Sequence, residues 1–342
     1  MLEIKHTLCP SCSVGCGINV ILDDEAVVGS FPYKRHPVNE GKNCANGRKS
    51  IENFANKINE ASISGGAVEL IKAINEISKE IDASDKVTVV LSGNNSLKEA
   101  EAIKSFIDEN NFSLLFYADD LRNFDEVASY EEIEKASSVL VIGDILYENP
   151  LIGRRIVHAK QNGAKIFSNI KAEKSVTANI SDETTSVSVQ EFLNNYKDNL
   201  DESSVIVFNT VDSSDDLDKI EELGSKILPV YSKTNTKGVL NIADPNSKDE
   251  VLELLANTKV LLVFNDDILN EFDFDFKSIS IIISLSAFEN DTTKASDVVV
   301  PVKSWLEYEG SFVNAMGESQ NFSQVMESDA LSIVEVIEKI KG

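Results

Sequence analysis

The sequence predicts an α/β protein: a small cysteine-rich module at the N-terminus, followed by doubly wound, Rossmann-like α/β units. Three observations carry this. Apolar runs of strand length alternate with amphipathic helical stretches over most of the chain. All four cysteines fall within the first 44 of 342 residues. The length suits two domains with space for a small module besides.

The N-terminal fifty residues come first. Cys9, Cys12, Cys16 and Cys44 give the spacing C-x2-C-x3-C-x27-C, with glycines at Gly15, Gly17, Gly41 and Gly47. A tight loop supplies three thiols and the chain returns with a fourth, which is what a cuboidal iron–sulfur cluster or a metal ion needs. Glycines let the backbone close around the inorganic core and offer N–H groups to its sulfurs. Disulfides are disfavoured in a reducing compartment. Structural zinc is the stronger rival, but four-cysteine zinc sites usually bring two C-x2-C pairs, whereas here a triplet faces a single Cys44. The spacing favours iron–sulfur and leaves zinc open.

The strands expected next are Val87–Leu91, Ser113–Tyr117, Val139–Ile142, Ala164–Phe167, Val205–Phe208, Val260–Phe264 and Ile279–Ser284. They are short, often β-branched and bounded by polar residues, as buried parallel strands are. Ala67–Ile81, Leu97–Ile107 and Leu151–Gln161 carry apolar residues three and four apart and read as crossover helices. Ala330–Lys341 reads as a further amphipathic helix. The polar stretch Lys171–Val187 reads as the passage between two units. The expected division is therefore 1–56 as the cluster module, 57–188 as the first α/β unit and 189–342 as the second, with parts of 57–110 and 278–325 candidates for one shared domain.

The chain carries 32 Lys and Arg against 57 Asp and Glu, a formal charge of −25. That charge would repel a phosphate backbone, so nucleic acid is an unsuitable partner. No stretch is long and apolar enough to span a bilayer, so no direct membrane insertion is expected. The start MLEIKHTLCP lacks the basic and apolar regions of a secretory signal and has no twin-arginine pair. The reading is a cytoplasmic protein.

The segment CPSCSVGCGINVILDDEAVVGSFPYKRHPVNEGKNCANGR, with its His36, Pro37, Asn39, Gly41, Cys44 and Gly47 pattern, resembles the N-terminal cluster domain of the molybdopterin oxidoreductase family, specifically formate dehydrogenase alpha subunits. The resemblance implies a [4Fe-4S] cluster on Cys9, Cys12, Cys16 and Cys44, beside a molybdenum or tungsten bis-pterin guanine dinucleotide. It continues through Val139–Asn179, through SKTNTKGVLNIAD at Ser232–Asp244, and through Lys294–Phe322. The run EGSFVNAMGESQ is also similar to a motif of the large iron–sulfur subunit of respiratory complex I, which keeps much of this fold without the metal chemistry.

Several positions depart from the family pattern. The loop that brings a metal-ligating cysteine or selenocysteine in catalytic members corresponds to Asp119–Val127, which holds no thiol; Asp119, Asp120 and Asp125 are available by type. Asn46 stands where a basic residue follows the fourth cysteine. Ile145 stands at the strand-end asparagine position, Asn169 at the aspartate of a nucleotide contact and Lys171 at an arginine. A β-rich cap domain is expected after Phe322 in the family and is not in this sequence. These departures point to a non-catalytic subunit that relays single electrons through one cluster. The alternative is the catalytic half of a split formate or formylmethanofuran dehydrogenase, with its cap on another polypeptide. By analogy the partners are redox subunits of an anaerobe's hetero-oligomeric complex: a beta-type iron–sulfur flavoprotein, a hydrogenase, heterodisulfide reductase components or ferredoxin-type proteins. No catalytic residue is expected in this chain. His6 and His36 flank the cysteines and are candidates for tuning, while Trp305, Phe312 and His158 read as packing or surface residues.

Overall fold

A computed structural model of the chain describes all residues except 25, 173 and 342. The N-terminal module opens with a three-stranded antiparallel meander, Leu2–Leu8, Gly17–Asp23 and Ala26–Pro32, with Gly17–Asp23 central. Alternation decides its faces: Ile18, Val20 and Leu22 are buried against the rest of the chain, and Ile4 and Phe31 look outward. A bulge at Ile21/Leu22 twists the pairing with the edge strand.

Two larger sheets follow, one mixed and one parallel. The seven-stranded sheet runs Gly66–Val68, Ala61–Ile63, Val298–Pro301, Ile281–Ser286, Val260–Phe264, Val87–Val90, Ser113–Leu115. Its last five members are parallel, and Ala61–Ile63 is antiparallel to Val298–Pro301. The five-stranded sheet is parallel throughout, in the order Glu183–Thr185, Lys165–Asn169, Ser138–Ile142, Val205–Phe208, Lys226–Pro229. Every residue of Ser138–Ile142, Val205–Phe208 and Val260–Phe264 is buried, because helices cover both faces.

Each parallel set starts in its middle, adds strands on one side and then crosses to the other. The order therefore reverses between Ser138–Ile142 and Val205–Phe208 in one sheet, and between Val87–Val90 and Val260–Phe264 in the other. Such switch points leave a crevice at the carboxyl ends of the strands, because successive crossovers depart to opposite faces.

The expected division at 188/189 does not follow the sheets. Val205–Phe208 pairs with Ser138–Ile142, so the boundary falls inside one sheet. Lys171–Val187, of which residue 173 lies outside the described residues, holds a short helix, Val176–Ile180, and the edge strand Glu183–Thr185. The seven-stranded sheet draws on both 61–115 and 260–301, with the five-stranded sheet formed from the chain between them. Parallel pairing is non-local, and crossing back to a strand more than a hundred residues away leaves no local signal. Helix Ile333–Lys341 returns to Leu70–Asp82 and Leu97–Asn110: the Ser78 hydroxyl donates to the Ile340 carbonyl at 3.3 Å, and Lys341 pairs with Glu109 at 2.6 Å. Among the described residues no helix is long and apolar enough to cross a membrane.

Candidate metal centre

The loop CPSCSVGC joins the first two strands of the meander. The Cys9 N–H donates to the Cys16 carbonyl at 2.8 Å and closes its base. Its tip is held by distant parts of the chain. Ser13, fully buried, donates its N–H to the Tyr231 carbonyl at 3.2 Å and accepts the Tyr231 N–H on its hydroxyl at 2.8 Å. The Ala315 N–H reaches the Ser13 carbonyl at 2.7 Å, and the Tyr130 hydroxyl donates to the Val14 carbonyl at 2.9 Å. Ala315 lies in the turn between strands Gly310–Val313 and Ser319–Phe322, so EGSFVNAMGESQ folds directly onto the cysteine loop. Gly15 has φ +77°, and a Cβ there would sit 2.0 Å from Gln320 Oε1. Any side chain at that position is strained by the left-handed backbone.

The return segment explains the His36 to Gly47 pattern. Asn39, with no exposed surface, accepts the Gly17 N–H at 2.8 Å and donates to the Gly17 and Lys42 carbonyls at 3.0 and 2.5 Å. One amide thus ties the end of the first loop to the approach to Cys44. The His36 ring packs over Gly17, where a Cβ would lie 2.4 Å from it. Cys44 caps helix Ala45–Lys49, and its sulfur accepts the Gly47 N–H at 3.4 Å. A Cβ on Gly47 would come within 3.2 Å of Cys9 Sγ.

All four cysteines line one small apolar pocket with Val14, Ile18 and Leu151. Among the described residues no three His, Cys, Asp or Glu side chains converge as ligands of a single ion do. Four thiols lining one pocket are the donor set a [4Fe-4S] cluster takes. Burial raises the Cys9 thiol pKa and lifts that of Cys16 well above its ordinary value. Burial, with the neighbouring Cys9, pushes Cys12 up to about 12. Thiolates are therefore costly here unless iron brings compensating positive charge, so this pocket suits metal binding coupled to proton release.

Two clefts meet at Ser11 beside this pocket. One, of about 830 Å³, lies at the switch point of the five-stranded sheet, lined by Gly143, Asn149 and Asn209 together with Cys12 and Cys44. The other, of about 370 Å³, lies at the switch point of the seven-stranded sheet, beside Asn94, Asn265 and Ala287.

Asp119, Asp120 and Asn46 line the larger cleft; Asp125 is exposed and stands outside it. Asp119 accepts the Ser232 N–H and hydroxyl at 2.9 and 3.0 Å, and Asp120 accepts the Lys248 N–H and the Tyr117 hydroxyl at 2.9 and 3.0 Å. Ile145 is wholly buried. The residue that meets the cleft from that strand end is Asn149, immediately before Pro150 at the start of helix Pro150–Gln161. The Asn-Pro pair at the helix start is the sequence signal that points to this position. Asn169 donates to the Val187 carbonyl at 3.0 Å and accepts the Thr185 hydroxyl at 3.1 Å, while Lys171 pairs with Asp212. His6 stacks on Tyr33 with ring centroids 4.1 Å apart, Trp305 and Phe312 are buried, and His158 meets Glu134 at 3.0 Å.

Fold and site together define a class: four cysteines gathered in one pocket beside the switch points of two doubly wound sheets. Residues 2–56 match the molybdopterin oxidoreductase Fe4S4 domain, and residues 151–333 match the molybdopterin oxidoreductase domain. The chain belongs to the molybdopterin oxidoreductase family, and its N-terminal module supports a [4Fe-4S] cluster. Curated relatives include the F420-dependent formate dehydrogenase subunit alpha of Methanocaldococcus jannaschii, 30% identical over an alignment covering 53% of this chain and 30% of that one. The F420-dependent formate dehydrogenase 1 subunit alpha of Methanococcus maripaludis is also 30% identical, with 48% and 28% covered. The match thus spans less than a third of these relatives' length. Among solved structures, acetylene hydratase from Pelobacter acetylenicus shares the fold with a TM-score of 0.66 at 11% identity, over 98% of this chain and 68% of that one. A chain of the formyltransferase/hydrolase complex from Methylorubrum extorquens has a TM-score of 0.54 at 13% identity, over 82% of this chain and 97% of that one.

The cysteine pocket fits a cluster; the larger cleft fits an anionic pterin dinucleotide poorly. Among the described residues, Asp119, Asp120 and Glu148 line it against one cation, Lys49. Burial, together with the charges of Asp144 and Asp119, already lifts the Glu148 carboxyl above its usual range. Phosphate oxygens beside these groups add like-charge repulsion in a partly desolvated site.

Proposed function

We propose that Cys9, Cys12, Cys16 and Cys44 hold a [4Fe-4S] cluster and that the chain relays single electrons within a cytoplasmic, multisubunit redox complex of the formate dehydrogenase type. The observation that carries this reading is the contrast between adjoining sites. The cysteine pocket is complete, clamped at Ser13 and tied by Asn39. Beside it, Asp119, Asp120, Asn169 and Lys171 are committed to contacts within the protein.

In this role the cluster accepts and returns one electron at a time. The chain's residues exclude bulk water from its buried side through Val14, Ile18 and Leu151, and leave Cys12 and Cys44 as its more exposed side. Asn46, beside Cys44, offers an amide and not a charge to that side.

One observation favours a second reading, the catalytic half of a split molybdenum or tungsten enzyme exchanging two electrons between carbon dioxide and formate or a formyl group. The cleft of about 830 Å³ opens directly onto Cys12 and Cys44. Elemental analysis with pterin extraction on anaerobically purified protein separates the two. About four iron per chain without molybdenum, tungsten or pterin supports the relay. Metal and pterin near one per chain would overturn it in favour of the split enzyme.

A further inference from the structure

Charge is distributed unevenly along this chain. Residues 1–56 contain six basic and six acidic side chains, so the whole formal charge of −25 resides in the remainder. Within the module the charges are separated again. Three of its acids fall together at residues 23–25, whereas Lys34, Arg35, Lys42, Arg48 and Lys49 all fall within ten residues of Cys44 along the chain. All five are exposed, and among the described residues none forms an ion pair. The one acid inside this run, Glu40, is engaged by Arg154 and Arg155 at 2.8 and 3.3 Å.

An apolar surface continues from this basic run. Ile4 is 57% exposed, Val28 54% and Phe31 37%. Register places Ile4 opposite Ile21, and Phe31 opposite Asn19, on the outward face of the meander. Phe31 leads through Pro32 and Tyr33 directly into Lys34 and Arg35.

We propose that this face docks an acidic, one-electron carrier protein. The inference rests on the relay reading, and it names the partner of that cluster. Charge complementarity selects the occupant. With a Debye length of about 10 Å at 0.1 M salt, an approaching carrier responds to the charges near its contact and not to the whole molecule. An acidic carrier is therefore favoured where Lys34, Arg35, Lys42 and Arg48 stand over the net acidic remainder of the chain. The apolar residues supply a small desolvated contact beside the cationic one. A carrier seated there lies against the segment that bears Cys44. The reduced carrier gives up one electron and is oxidised by one; the cluster is reduced by one.

The test uses the full chain and a small acidic bacterial-type ferredoxin as probe. Binding is measured by isothermal titration at low and high salt, alongside iron content and visible absorbance. The expected result is salt-sensitive binding that the combined Lys34→Glu, Arg35→Glu and Arg48→Glu variant weakens by about tenfold or more, with Phe31→Ser weakening it at both salt concentrations. Unchanged binding in the charge-reversed variant overturns the proposal. So does a wild-type homodimer in sedimentation that Phe31→Ser dissociates, which would assign the face to a second copy. Absence of iron with the salt-sensitive binding intact sinks the relay reading while leaving the docking surface in place.

Discussion

Replacing Asn39 by alanine tests whether one buried amide holds the two cysteine-bearing segments together. The side chain has no exposed surface and makes three hydrogen bonds, two to Gly17 and one to the Lys42 carbonyl. Alanine leaves the Gly17 N–H buried without this partner, at about 1–3 kcal/mol, whereas the Gly17 carbonyl keeps the Tyr33 N–H at 3.1 Å and the Lys42 carbonyl, on an exposed residue, recovers water. The loss falls on the module at roughly 1–3 kcal/mol. It also releases the approach to Cys44, so cluster retention falls with stability. Heating the anaerobic protein while following visible absorbance for the cluster and far-ultraviolet circular dichroism for the α/β body reads both. The expected outcome is bleaching at a markedly lower temperature with the main dichroism transition little moved. Bleaching at the wild-type temperature with full iron would refute the reasoning.

Cys44→Ser is expected to weaken or lose the cluster while the parallel sheets remain folded; a native visible and EPR spectrum in that variant would disprove the ligand assignment. Gly15→Ala forces a side chain into left-handed backbone and onto Gln320. It is expected to lower iron content and to cost about 1–2 kcal/mol from backbone alone, checked by iron assay and thermal melting. Lys233 pairs with Asp266 and Glu271 at 2.7 and 2.6 Å. Burial and Asp266 together raise the Glu271 carboxyl from 4.5 to about 7. Between those values the folded chain keeps a proton that the unfolded chain has lost, so this group's contribution to stability falls as pH rises through the window. Melting temperatures across that range should show the decline in wild type and lose that component in Glu271→Gln; an identical pH profile in the variant would rule it out.

Part of this architecture is legible without coordinates. Val205–Phe208 and Val260–Phe264 are strands at the expected bounds because unbroken apolar runs of four or five residues suit a doubly covered sheet. Lys226–Pro229 and Val298–Pro301 escaped that reading, being short runs ending at proline. The cysteines that share the pocket were evident from spacing, since three belong to one loop. Asn39 belonged to a recognisable pattern, but its hydrogen bonds to Gly17 did not show in it.

The sequence by itself determined the local matters: where strands and helices form, that four thiols gather in one module, and that the chain belongs with the molybdopterin oxidoreductases. Tertiary structure alone decided that Val205–Phe208 lies beside Ser138–Ile142, that Tyr231 and Ala315 clamp Ser13, and that Asn149 and not Ile145 meets the cleft. The physical reason is range. Periodicity and spacing record interactions a few residues apart, whereas sheet order, side-chain direction and charge environment arise from contacts between segments far apart in the chain.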